Sequence, residues 1–307
     1  MIELFARSQG MREAVGLAER VSSTDANVLI TGESGAGKDL LASFIHLKSK
    51  RAAHPFVKID CATLPGELLE AELFGFERGA FTGAVEAKAG RFEAAHRGTF
   101  VLDEIAHLST DAQAKLLRVI ERREFERLGG RKTIKLDARL IALTNVDLDA
   151  AVKIGRFRED LFYRLNVINI RVPPLRERRE DLSQLVEHFL KLYSTKHGRS
   201  VLRTTAAANA LLKAYDYPGN ARELANILER AVIVASGKKV EERDLPAGLS
   251  SAVNSQQRKS KPLSLAQLEA DYIKQILVAT GGNKTECARI LGISRKNLYE
   301  KIARYKL

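Results

Sequence analysis

Apolar residues over the first 170 positions alternate between two spacings. Met11, Val15, Ala18 and Val21 share one face of a 3.6-residue period, which predicts a helix from Met11 to Val21. An unbroken apolar run, Val28-Leu29-Ile30, follows and ends in Thr31-Gly32. Helical spacing returns from Leu40 to His46 and from Ala112 to Glu121, with strand-like runs at Phe56–Ile59, Thr99–Leu102 and Arg139–Leu143. The last two runs end in Asp103-Glu104 and Thr144-Asn145. Continuous apolar runs separated by helices predict an α/β fold, a parallel sheet covered on both faces. Polar residues at the carboxyl ends of such strands are where ligands bind.

Beyond Pro173-Pro174 the pattern is all helical: Asp181–Thr195, Thr205–Tyr215 and Asn220–Ser236. Residues 246–262 are polar, low in aromatics and without period, which predicts a linker. Three further helical segments follow, Leu265–Thr280, Lys284–Leu291 and Ser294–Tyr305. The expected organisation is an α/β core over 1–172, a helical subdomain over 173–245, the linker, and a small all-α domain over 263–307. No internal repeat is visible.

Composition narrows the class. Apolar residues make up 45% of the 307, enough for a packed core, so disorder along the whole chain is excluded. No stretch has the roughly 18–20 uncharged apolar residues of a membrane span. Charges in Met1-Ile2-Glu3-Leu4-Phe5-Ala6-Arg7 stand where a signal peptide needs an apolar run. Two cysteines, Cys61 and Cys287, have no metal or redox spacing and read as reduced residues of a cytoplasmic protein. The net charge is +12, and seven of that surplus falls in the last 52 residues. A basic C-terminus is the footprint of a nucleic-acid-binding tail, though a solvated charged face has the same composition.

Gly32-Glu33-Ser34-Gly35-Ala36-Gly37-Lys38 fits G-x-x-x-x-G-K between a strand and a helix. Glycines let backbone N–H groups wrap a phosphate chain, the helix points its positive end at it, and Lys38 reaches the terminal phosphates. Asp39 stands where this motif uses Ser or Thr to hold Mg²⁺. A carboxylate there either ligates the metal or opposes the phosphates. Val101-Leu102-Asp103-Glu104 at a strand end supplies the second half. Asp103 would hold Mg²⁺ through water, and Glu104 would polarise the attacking water in nucleoside triphosphate hydrolysis. The six histidines, His46 among them, show no ligand spacing and read as structural or exposed.

Between these motifs stands Gly79-Ala80-Phe81-Thr82-Gly83-Ala84, preceded by Glu72-Leu73-Phe74-Gly75. The six residues match the GAFTGA signature, and the chain resembles the bacterial enhancer-binding proteins, the NtrC-like AAA+ activators of sigma-54 RNA polymerase. The resemblance runs from about Phe5 to Leu307. It implies a P-loop AAA+ domain with an α-helical lid, ATP and Mg²⁺ as cofactors, and a hexameric ring. It assigns Gly79 to Ala84 to the loop that contacts sigma-54. Thr144-Asn145 resembles sensor I, with Asn145 reading the γ-phosphate. Arg158 and Arg164, in the segment from Gly155 to Leu165, match two arginine fingers that reach a neighbouring subunit, with Arg156 a nearby competitor. Tyr217-Pro218-Gly219-Asn220-Ala221-Arg222-Glu223-Leu224 resembles W-P-G-N-V-R-E-L and gives Arg222 the sensor II position. Asp60 replaces an Asn that restrains the catalytic glutamate in many relatives, so Asp60 and Glu104 would repel or share a proton.

The segment from Gly281 to Tyr299 resembles a Fis-type helix-turn-helix. Ala288, Leu291, Ile293, Leu298 and Ile302 would form its core, Gly292 its turn, and Ser294 the cap of its second helix. Ser294 also counts, with Asn283, Lys284, Arg295, Lys296, Asn297 and Lys301, among the residues for DNA bases and phosphates. The ATPase module begins almost at Met1, so the expectation is a protein without its own N-terminal sensor, answering to a separate regulatory protein, or a trimmed one. The reading is a sigma-54-dependent activator that binds upstream DNA as a dimer and remodels the holoenzyme with ATP. The alternatives are a DNA-binding repressor or scaffold with a vestigial ATPase, and a generic AAA+ remodelling enzyme.

Overall fold

A computed structural model describes residues 4–201, 203–249 and 264–305. The chain divides between Ala247 and Gly248 into two compact units. The first opens with α1 (Gln9–Ser22), β1 (Val28–Thr31), α2 (Lys38–Leu47) and β2 (Phe56–Asp60). Then come α3 (Gly66–Phe74), β3 (Gly75–Phe76), β4 (Lys88–Ala89), α4 (Arg91–Ala94) and β5 (Thr99–Asp103). Helix α5 (Thr110–Arg122), the hairpin β6 (Glu124–Glu126) and β7 (Thr133–Lys135), and β8 (Arg139–Thr144) follow. Helices α6 (Leu148–Lys153) and α7 (Glu159–Leu165) lead into β9 (Ile168–Arg171).

Five strands form one parallel sheet in the order β2-β5-β8-β1-β9. Its two faces follow from the two-residue period of a strand. Leu29, Phe100, Leu102, Leu140 and Ala142 join the core containing Leu73, Leu116 and Leu161 of α3, α5 and α7. Their neighbours Val28, Ile30, Val101, Ile141 and Leu143 face the other way, with Met11, Ala18, Leu41 and Ile45 of α1 and α2. Central β8 is buried throughout, Arg139 included. That guanidinium donates to the carbonyls of Val21 (2.9 Å) and Ser22 (3.2 Å), the electronegative end of α1.

The four expected strands are present, and β9 is a fifth that the apolar runs did not predict. Its sequence, Ile-Asn-Ile-Arg, alternates because it is an edge strand with one row of side chains turned outward. A second correction concerns the stretch after Pro173-Pro174. Helices α8 (Arg179–Lys196), α9 (Ala206–Ala214) and α10 (Asn220–Val234) are there, but β10 (Arg203–Thr204), before α9, pairs in parallel with β11 (Lys239–Val240), after α10. Third, residues 247–249 of the expected linker are helical, with Leu249 buried. Residues 250–262 of that linker, and Met1 to Glu3 of the charged N-terminus, lie outside the described residues.

The second unit contains α11 (Leu265–Ala279), α12 (Lys284–Ile290) and α13 (Arg295–Tyr305). Ile273, Cys287, Ala288 and Leu298 are its buried centre, with Leu291, Ile293 and Ile302 half-buried around them. Gly292 makes the turn between α12 and α13 at φ 67°, a conformation that costs other residues about 1 kcal/mol or more. Among the described residues no helix is long and apolar enough to cross a membrane.

Candidate functional site

Because β8 lies between β5 and β1, the carboxyl ends of the three strands bring Asp103-Glu104, Thr144-Asn145 and the glycine loop side by side. Gly37 caps α2 in the left-handed region at φ 105°, and Lys38 begins the helix. Lys38 is buried, its Nζ donating to Gly32 O at 2.9 Å and lying 3.6 Å from Glu104 Oε1. Glu104 has left-handed backbone at φ 51°, uncommon without glycine. Its Oε2 accepts the backbone N–H of Asn145 at 3.1 Å, so one carboxylate spans the two phosphate motifs and the sensor position. The Asn145 side chain itself is exposed.

Asp60 Oδ1 accepts the Ala62 N–H at 2.9 Å and closes its own turn. Cys61 beside it is buried, and burial, reinforced by the carboxylates of Asp60, Asp103 and Glu104, pushes its thiol up to about 12. His46 is buried against Thr99 Oγ1 at 2.9 Å, and burial lowers its pKa. It is structural, as its lack of ligand spacing suggested.

Sequence reasoning missed Lys58. This β2 residue donates to Asp39 Oδ1 and to Asp103 Oδ2, the latter at 2.8 Å. Burial opposes its charge, but the hydrogen bonds to Asp103 and Asp39 outweigh that and raise its pKa. Asp39 and Asp103, the two residues expected to hold Mg²⁺, thus converge on one cationic position. The donor set fits that ion, which takes one or two protein carboxylates and completes its shell with phosphate and water.

The helical subdomain also reaches the glycine loop. Arg176 holds Glu33 through both guanidinium nitrogens, at 2.8 and 2.6 Å. Buried Asn220 donates to Glu33 Oε2 (3.1 Å) and Ser34 O (3.0 Å), and Arg178 donates to Ala36 O at 2.6 Å. Hydrogen bonds from Arg176 and Asn220 hold the Glu33 carboxyl down at about 2. Arg222 donates to Ser34 Oγ at 3.0 Å. A cleft of about 230 Å³ remains, with Lys38, Asp39, Asp103 and Glu104 on one side and Phe189 and Arg222 on the other.

Arg158 and Arg164 do not line this cleft. Exposed, they pair with Asp160 (2.8 Å) and Glu121 (3.2 Å), while Arg156 is exposed nearby. The loop from Gly79 to Ala84 closes on itself through Gly79 N to Ala84 O (2.9 Å) and Ala84 N to Phe81 O (3.0 Å). Thr82 is exposed, and Phe81 is 42% exposed with its ring set edge-on to Phe76.

In the second unit, Ser294 Oγ caps α13 by accepting Asn297 N–H at 3.2 Å, as expected. Two DNA candidates are already engaged. Asn283 Oδ1 caps α12 through Thr285 N–H and Glu286 N–H, and Lys301 pairs with Glu269. Lys284 lies over the Tyr299 ring, 4.9 Å from its centre. Arg295, Lys296 and Asn297 remain exposed together at the start of α13.

Comparison with known proteins bears on the whole arrangement. The sigma-54 interaction domain family matches residues 4–171, the AAA+ ATPase lid domain residues 176–262, and the Fis family of bacterial regulatory proteins residues 264–305. The chain is 46% identical to regulatory protein AtoC of Escherichia coli, covering 98% of this chain and 67% of AtoC. It is 43% identical to transcriptional regulatory protein FlbD of Caulobacter vibrioides, covering 98% and 70%. A crystal structure of NtrX from Brucella abortus in complex with ATP superposes with TM-score 0.76 at 37% identity, covering 100% of this chain and 70% of NtrX. With a P-loop core, a helical lid and a Fis-type helix-turn-helix in that order, the chain belongs to the sigma-54-dependent enhancer-binding transcriptional regulators.

Proposed function

We propose that this chain hydrolyses ATP and spends the resulting motion on sigma-54 RNA polymerase holoenzyme bound at a promoter. The observation that carries the reading is the convergence of Lys38, Asp103, Glu104 and Arg222 on one cleft. Lys38 would bind the terminal phosphates, Glu104 would orient and polarise water, and Asn145 and Arg222 would read the γ-phosphate. Asp103 with Asp39 would hold Mg²⁺, which supplies charge neutralisation at the phosphates. NtrX of Brucella abortus, similar along its matched length, binds ATP and ADP.

Arg158 and Arg164, exposed and outside the cleft, suit fingers that complete a neighbour's site, so the active form is an oligomeric ring, in this reading a hexamer. The exposed Phe81 and Thr82 would touch sigma-54, and Arg295, Lys296 and Asn297 would enter the DNA major groove while the tail dimerises. Lys58 beside Asp39 answers the charge objection behind a vestigial ATPase. Phosphate release measured across protein concentration tests the proposal. Specific activity rising with assembly is expected, and none at any concentration overturns it.

A further inference from the structure

Lys58 changes the arithmetic of the metal position. The usual residue after the P-loop lysine carries a neutral hydroxyl, so the second motif's aspartate brings the only negative charge. Here Asp39 adds another. Lys58, in contact with both carboxylates, brings the trio of Asp39, Asp103 and Lys58 back to a single negative charge. An ammonium on a four-carbon stem is a compact, movable point charge, and Lys58 remains 35% exposed, with room to withdraw toward solvent.

We propose that Lys58 is a positioning residue that keeps the metal-binding carboxylates occupied by a tethered cation. A divalent ion then binds Asp103 and Asp39 only by displacing that ammonium, which withdraws toward solvent. Asp39 and Lys58 together replace the usual hydroxyl. Metal affinity at the cleft is set by competition between an ion in solution and a lysine on β2. Lys38 takes no part, since its Nζ is engaged by Gly32 O and Glu104.

The inference rests on the nucleotide-site reading but is tested without nucleotide. Mn²⁺, standing in for Mg²⁺, is titrated into the full chain, and the free ion is followed by electron paramagnetic resonance. Lys58→Met should bind Mn²⁺ about tenfold more tightly than the unaltered protein, the scale of one charge-assisted contact removed from the competition. Lys58→Gln, which keeps hydrogen-bonding capacity without the charge, should move the same way, and Lys58→Arg should stay near the starting affinity. Adding Asp39→Ser to Lys58→Met should reverse most of the gain. Thermal melts report whether each variant is folded. Unchanged or weaker Mn²⁺ binding in folded Lys58→Met and Lys58→Gln overturns the proposal. A fluorescent-ATP titration run beside it separates the two ideas: no nucleotide binding sinks the site reading, whatever Mn²⁺ does.

Discussion

Two glycine-containing loops of the first unit are built alike and surrounded differently. Gly35 in the phosphate loop and Gly79 in the contact loop have nearly the same backbone, at φ 73° and 82°. A Cβ on Gly35 would drive into the Gly219 carbonyl oxygen and against Arg222, whereas one on Gly79 would meet nothing within 4 Å. The phosphate loop is braced by Arg176, Arg178, Asn220 and Arg222, all from the segment beyond the sheet. The contact loop has only short-range backbone hydrogen bonds, Gly79 N to Ala84 O, Ala84 N to Phe81 O, Ala80 N to Glu77 O and Val85 N to Gly83 O, and one ring contact. Glycine therefore does two jobs here. In one loop it permits close approach, and in the other it permits a left-handed turn in open space.

The comparison can be broken at several points. Lys38→Ala should abolish nucleotide binding, and Glu104→Gln should bind nucleotide without turnover, measured by fluorescent-ATP titration and phosphate release. Normal hydrolysis by Glu104→Gln would remove the water-activating role from that residue. Next, Gly35→Ala should cost about 3 kcal/mol or more, from overpacking added to left-handed strain, and should lose nucleotide. Gly79→Ala should cost only the strain, about 1–2 kcal/mol, and keep hydrolysis. Equal losses in denaturant melts would erase the distinction between the loops.

A third test uses acid. The Glu33 carboxyl is held near 2 in the folded protein, below the ordinary value of 4.5. A depressed folded pKa contributes stability that is complete above the unfolded pKa and lost as pH falls through the folded one. The Glu33 contribution should therefore fade between about pH 4.5 and 2. Arg176→Ala should raise the Glu33 titration midpoint and flatten that part of the pH–stability curve, followed by carboxylate NMR and melts. Smallest of all, Thr82→Ala should leave ATP hydrolysis and DNA binding unchanged while abolishing promoter opening with sigma-54 holoenzyme. Unimpaired opening would return the loop to an ordinary surface turn.

What could be read from the sequence was what lies contiguously along it. The P-loop, the Asp103-Glu104 pair and the six-residue loop are local strings, and β1, β5 and β8 announce themselves as runs buried on both faces. Strand β9 does not, because an edge strand exposes Asn169 and Arg171 alternately with its apolar residues. Lys58 was invisible for another reason. Its partners lie on other elements: parallel pairing of β2 with β5 sets it near Asp103, and Asp39 reaches it from α2. The brace on Glu33 is more remote still, coming from residues 143 and 187 positions away. The partners of Asn283 and Lys301 were not legible either, because a polar side chain in a helix-turn-helix serves its own cap or ion pair as readily as DNA.

Tyr217 carries a practical consequence. The chain has no tryptophan, so its ultraviolet emission comes from seven tyrosines. Tyr217 is buried, with its hydroxyl donating to Leu212 O, and sits two residues before the glycine whose carbonyl abuts the phosphate loop. The family pattern has Trp at this position. Tyr217→Trp would install a single indole at a buried position near the phosphate loop, with no second emitter of its kind in the molecule. Any change in the packing around that indole would then be visible as a colour shift in ordinary buffer, without a dye, a label or a crystal.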